Sequence, residues 1–133
     1  MLTDAAGLPL AVATSAANTH DSLALIPLVQ AIPAIRSRRG PRRRRPAKLH
    51  ADKGYDYEHL RGWLRRRSIT PRIARRGIET STRLGRHRWV VERSLAWLTG
   101  YRRLTARYER CARLFTAFLT LAATLTCYKK LTT

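Results

Sequence analysis

The stretch from Lys48 to Ala74 reads as strand, helix and strand in that order, and no other feature constrains the fold as tightly. In KLHAD, Leu49 and Ala51 fall on one side of an extended chain, Lys48, His50 and Asp52 fall on the other, and Gly54 closes the run. YEHLRGWLRRR then sets Leu60, Trp63 and Leu64 on one helical stripe with arginines opposite, and SITPRIA gives a short strand interrupted at Pro71. A strand that returns through a helix to another strand belongs in a layered α/β domain.

The flanks fit that class. LTDAAGLPLAVATS reads as the end of one strand, a turn over Asp4 to Gly7, and a second strand from about Leu8 to Thr14. ANTHDSLALIPLVQAIPAI offers Asn18, Thr19 and Asp21 as caps ahead of Leu25, Leu28, Val29 and Ile32 at helical spacing, with Pro27 set to kink the helix or delay its start. A helix is expected from Arg86 to about Thr99, burying Val91, Leu95 and Leu98 and stopped by Gly100. A last helix, from about Cys111 to Lys130, is apolar all round, which implies burial against a sheet. At 133 residues the chain suits one domain, so residues 1–133 are read as a single three-layer unit.

Charge narrows the function. Lys and Arg number 27 against 8 Asp and Glu, a formal net charge of +19, and solubility alone does not call for such self-repulsion. A polyanion is the expected partner, with nucleic acid ahead of an anionic membrane surface, because neutralising phosphates releases counterions. The excess of arginine over lysine suits phosphate recognition, and codon bias in a GC-rich genome also feeds it. RSRRGPRRRRPAK, residues 36–48, combines Pro, Gly and like charge and is expected to be a mobile basic loop, either solvated or in contact with phosphate. Cys111 and Cys127 lack metal-ligand spacing and read as small apolar residues in a reducing cytosol. The start lacks the basic and apolar regions of a secretory signal, and the run Leu114 to Tyr128 falls short of the roughly 18 to 20 residues that span a bilayer. A cytoplasmic, nucleoid-associated protein is expected, with no membrane partner.

Within this basic background two acidic residues stand out, Asp52 in LHADKGYD and Glu92 in RHRWVVERSLAW. Asp52 ends a strand, the side of an open α/β sheet where ligands bind, although without further context turn formation before Gly54 is the favoured account of it. Glu92 follows Arg88 by four positions, and from that spacing alone an ordinary exposed helical ion pair is the better explanation. Two carboxylates from distant segments beside a phosphate-binding surface are also how Mg²⁺ is held for phosphodiester chemistry. Asp4 has a sufficient role in its turn and Asp21 as a cap. His20, His50, His59 and His87 show no zinc spacing, and Trp63, Trp89 and Trp97 read as core or core-edge aromatics.

LHADKGYD followed by RHRWVVERSLAWLTGYRRL closely resembles the second and third catalytic segments of bacterial insertion-sequence DDE transposases, in the branch that contains insertion sequence families four and five. TDAAGLPLAVATSAANTHDSLALIPLV resembles the stretch between that family's first and second acids, so the likeness covers nearly the whole chain. It implies a ribonuclease-H-like fold, a central mixed sheet flanked by helices, truncated at the N-terminus so that the first strand and its Asp lie upstream of Met1. It implies that Asp52 and Glu92 are the second and third acids, holding Mg²⁺ or Mn²⁺, and that Arg88 is the Arg of the Arg-xxx-Glu signature. Gly85 and Thr99 stand where the wider signature has Tyr and Lys. Arg88, Arg93, Arg102 and Arg103 are expected on phosphates of double-stranded DNA, at the element's ends and at the target.

The implied activity is cleavage at insertion-sequence ends and joining of the 3′-hydroxyl to target DNA. Self-association, or complementation by an upstream transposase segment, is an expected partnership. The alternative is a catalytically dead, basic DNA-binding remnant or an inhibitor of the full-length transposase. A ribosomal-type RNA binder gives no reason for Asp52 and Glu92.

Overall fold

A computed structural model describes every residue except 17, 37–39, 76, 78–80 and 107–108, and the side chains of residues 81–88 also lie outside the description. In chain order the elements are β1 (Leu2–Thr3), β2 (Pro9–Ala11), α1 (Leu25–Gln30), β3 (Lys48–Ala51), α2 (Glu58–Arg66), β4 (Thr70–Ile73), α3 (Ser81–Thr99), α4 (Arg102–Thr105) and α5 (Ala112–Thr132), with 3₁₀ turns at Asp21–Ala24 and Lys53–Tyr55. They fall into two compact units, Met1–Thr14 with Arg88–Thr133, and Ser15–His87. The α/β class is as expected. The described strands, however, form two separate two-stranded sheets, β1–β2 antiparallel and β3–β4 parallel, where one central mixed sheet was expected.

In the first unit, Asp4 builds the turn that its sequence context requires. Its Oδ1 accepts from the Ala6 and Leu8 N–H groups at 2.9 and 2.7 Å, and Gly7 adopts φ 85°, a region that a side chain disfavours. The turn docks on α3, where the Ser94 hydroxyl lies 2.5 Å from the Gly7 carbonyl oxygen and 2.8 Å from that of Val90. This contact shifts the buried face of α3 away from the expected stripe. Val90, Ser94 and Leu98 are buried, whereas Val91 and Leu95 are 40% and 47% exposed. A serine reads as a surface residue in a hydropathy pattern, but one whose hydroxyl is satisfied by carbonyls can sit at a close backbone approach.

Leu98 packs with Ala122 and Ala123 of α5, bordered by Met1, Val12, Tyr101, Leu104 and Leu119. The two alanines supply little bulk, and α5 lies against β2 and α4. The remainder of α5 departs from expectation. Leu114, Leu121, Leu125, Tyr128 and Leu131 are exposed, so the helix buries one narrow face and not its whole circumference. Beside this apolar row, Thr116, Thr120 and Thr124 line a groove with Arg113, Ala117 and Leu121. Each of these threonine hydroxyls donates to the carbonyl one turn back, at 2.8, 2.8 and 2.9 Å.

In the second unit His20 Nδ1 accepts from the Ser22 N–H at 3.2 Å and so caps the first 3₁₀ turn, a role expected of Asn18, Thr19 or Asp21. Pro27 delays the α-helix as expected, and Leu25, Leu28, Val29 and Ile32 are all buried. In the arginine-rich loop, Ile35 and Arg43 exchange backbone hydrogen bonds of 2.9 and 2.8 Å, a regular pairing in a stretch read as wholly irregular.

Strands β3 and β4 pair in register from Lys48 with Thr70 to Ala51 with Ile73, and α2 packs on β4. Thr70 and Ala74 donate to carbonyls of Ala47 and Ala51, so the even positions face β3 and Pro71, which has no N–H, interrupts no ladder bond. Leu60 and Leu64 are almost fully buried, with Ile69, Ile73 and Leu49 also in this core. Helix α2 ends with Ser68 at φ 56°, while Ile69 N–H donates to Leu64 O and Ser68 N–H to Arg65 O, both at 2.9 Å. That is the left-handed closure usually given to glycine.

Candidate functional site

Asp52 is exposed at the carboxyl end of β3 and caps the 3₁₀ turn Lys53–Tyr55, its Oδ1 accepting from the Gly54 N–H at 2.8 Å. A Cβ at position 54 would lie 3.0 Å from that oxygen, so glycine leaves room for the carboxylate to fold back over the turn. The two 3₁₀ turns pack together. Burial in the first place, then the negative charges of Asp21 and Asp52, push the Tyr55 phenol above the ordinary tyrosine range. The structure thus gathers Asp21 and Asp52 around Tyr55, a grouping that the sequence reading, with Asp21 as a helix cap, missed.

Beyond Tyr55 the chain turns sharply into α2. Asp56 has φ −77° and ψ 76°, and the Tyr57 N–H donates to Tyr55 O at 2.9 Å, which makes Asp56 the centre of an inverse γ-turn. Arg61 grips it from within. Its Nε and Nη2 lie 2.8 and 2.7 Å from Asp56 Oδ1, and Nη2 also donates to Ile73 O at 2.9 Å. Tyr57 in turn meets His20 edge to face, with its hydroxyl 3.3 Å from Nε2.

Glu92 is exposed on α3, in the other unit from Asp52. One residue on, Arg93 carries its Cζ over the rings of Trp89 and Trp97, at 4.4 and 4.9 Å from their centroids, and its Nη2 donates to Ala6 O at 2.6 Å. Its Nε is buried and has no hydrogen-bond partner among the described residues. Lys130 Nζ stands 4.7 Å from the Trp97 ring, so two cations share that indole. Arg102 and Arg103 are exposed on α4, with Arg103 3.5 Å from Glu109 and over the Phe118 ring at 5.2 Å. The side chain of Arg88 lies outside the described residues.

Exposed carboxylate oxygens are the donor type that Mg²⁺ and Mn²⁺ take. Asp52 fits that chemistry with one oxygen engaged by Gly54. Among the described residues no three His, Cys, Asp or Glu side chains gather as a metal cluster.

Residues 1–127 match the family of transposase DDE domains. The chain belongs to the DDE transposase family. This transposase chain is 48% identical over 131 residues to a protein of Burkholderia cepacia described as a candidate transposase for insertion sequence element IS402. The match takes in 98% of the chain and 62% of that relative, so the transposase chain spans somewhat under two thirds of the relative's length. No solved structure matches it. No helix among its described residues is long and apolar enough to cross a membrane.

Proposed function

We propose that the chain forms part of a ribonuclease-H-like catalytic domain that cuts double-stranded DNA at insertion-sequence ends and joins the freed 3′-hydroxyl to target DNA. The observation that carries this reading is the exposed carboxylate of Asp52, held at the carboxyl end of a parallel strand by its own turn in a chain of this family. Asp52 and Glu92 are the residues that would hold Mg²⁺ or Mn²⁺. Such an ion, when bound, supplies Lewis acidity toward a phosphodiester and lowers the pKa of water. Arg88, Arg93, Arg102 and Arg103 contact DNA phosphates, with Arg102 and Arg103 the most available of those described, and DNA affinity would keep the protein at the nucleoid.

A further transposase segment, or a second copy of the chain, complements this one. The exposed apolar row on α5 supports this, as does the part of the relative with no counterpart in the chain. Covering that row with the remaining segment of the relative should suppress binding of an apolar-surface dye, and unchanged dye binding would count against complementation.

A magnesium titration of the chain tests the site. Saturable binding that Asp52→Asn removes supports a metal-dependent nuclease site, whereas salt-sensitive DNA binding indifferent to magnesium favours a DNA-binding remnant or an inhibitor of the full transposase.

A further inference from the structure

In a chain of net charge +19, arginines are expected to face solvent or phosphate, yet Arg61 is 7% exposed and is the buried arginine among the described residues. Taking a guanidinium out of water is costly unless its partners are well placed, so its contacts show what its burial accomplishes. Those contacts are Asp56 Oδ1, doubly, and the carbonyl oxygen of Ile73 at the end of β4. Asp56 closes the segment that Asp52 opens. Between them lie only the 3₁₀ turn, anchored to Asp52 through Gly54, and the inverse γ-turn centred on Asp56 itself.

We propose that Arg61 is a positioning residue for Asp52. It acts through Asp56, fixing the turn 52–57 to α2 and to the end of β4, so that the Asp52 carboxylate is presented in one orientation. The importance of that orientation for catalysis rests on the function proposed above for Asp52; the mechanical linkage does not. A lysine at position 61 would keep the charge but, with a point-like ammonium, lose the fork that holds Asp56 and Ile73 O together.

Amide exchange measured by NMR on the 133-residue chain tests the linkage. In the native chain the Gly54 amide should be protected by its bond to Asp52. Arg61→Met should accelerate its exchange about tenfold or more, with the amides of Leu60 and Leu64 changed less than about twofold. Because Arg61→Met leaves the part-buried Asp56 carboxylate without its guanidinium and can unfold the unit, a second variant combines it with Asp56→Leu and removes both charges. There the unfolding midpoint should return toward native while Gly54 stays fast. Recovery of Gly54 together with the midpoint would make the pair a general stabiliser and overturn the proposal. Lack of native protection at Gly54, or unchanged exchange in a folded Arg61→Met, would overturn it too. Mn²⁺ line broadening at Gly54, with Asp52→Asn as control, reads the metal role separately; its absence would count against Asp52 as a ligand and leave the exchange result standing.

Discussion

Ser94 and Gly7 meet so closely that a Cβ at position 7 would stand 2.8 Å from the Ser94 Oγ, inside any real carbon contact. Gly7 also has φ 85°. Gly7→Ala therefore combines backbone strain with a clash and should cost about 1–3 kcal/mol in urea unfolding. Ser94→Ala, which removes only the hydroxyl, should cost about 1 kcal/mol. A Gly7→Ala protein as stable as the native one would mean that the turn does not dock on α3 as described.

Ser68 carries the opposite expectation. Its φ of 56° is one that a Cβ disfavours, and the closure of α2 needs no side chain there. Ser68→Gly should raise stability by about 0.5–1 kcal/mol, visible as a higher thermal midpoint.

Tyr55 gives a pH signature. Its folded pKa is raised, so the stability it contributes is complete below the ordinary tyrosine value and is lost as pH climbs through the folded value, the unfolded chain giving up its proton first. In an alkaline ultraviolet titration, Tyr55→Phe should delete a late-titrating phenol. Asp21→Asn should bring that phenol earlier, and Asp52→Asn should do so to a smaller degree. A phenol that ignores both carboxylates would separate the two 3₁₀ turns.

The arginines should sort into two kinds. Arg102→Ala and Arg103→Ala should each lower the salt dependence of DNA binding by about one unit of log–log slope, with little change in fold stability. Arg93→Ala removes a stacked cation and a bond to Ala6 O, so it should also cost about 1–2 kcal/mol of stability. Equal stability in all three variants would refute the distinction.

In a reconstituted complete transposase, Asp52→Asn or Glu92→Gln should abolish strand cleavage and leave DNA affinity nearly intact, as read on a plasmid carrying the element's ends. Persistent cleavage in either variant would remove that residue from the catalytic set.

The sequence patterns were legible where one side chain decides the local structure. Asp4 and Gly7 specify their turn, Pro27 the late start of α1, and Gly54 the turn that Asp52 caps just beyond β3. They misled where packing depends on backbone approach. Ser94 is polar and yet buried, so the pattern points to Val91 and Leu95 where Val90 and Ser94 are buried, with Leu98 alone as expected, and the apolar content of α5 hid how narrow its buried face is. Arg61 was indistinguishable from its neighbours in LRGWLRRR, because only the folded γ-turn brings Asp56 into its grip. The pairing of Asp21 with Asp52 around Tyr55 joins segments about thirty positions apart, which no local pattern reports.

The threonine ladder of α5 bears on what water does there. Thr116, Thr120 and Thr124 already give their protons to carbonyls of their own helix, so the hydroxyls ask little of the solvent that wets them. Drying this face would strand none of the three threonine donors, and the water released from the neighbouring leucines would favour whatever surface closed over it while leaving the Arg113 guanidinium at the solvent edge.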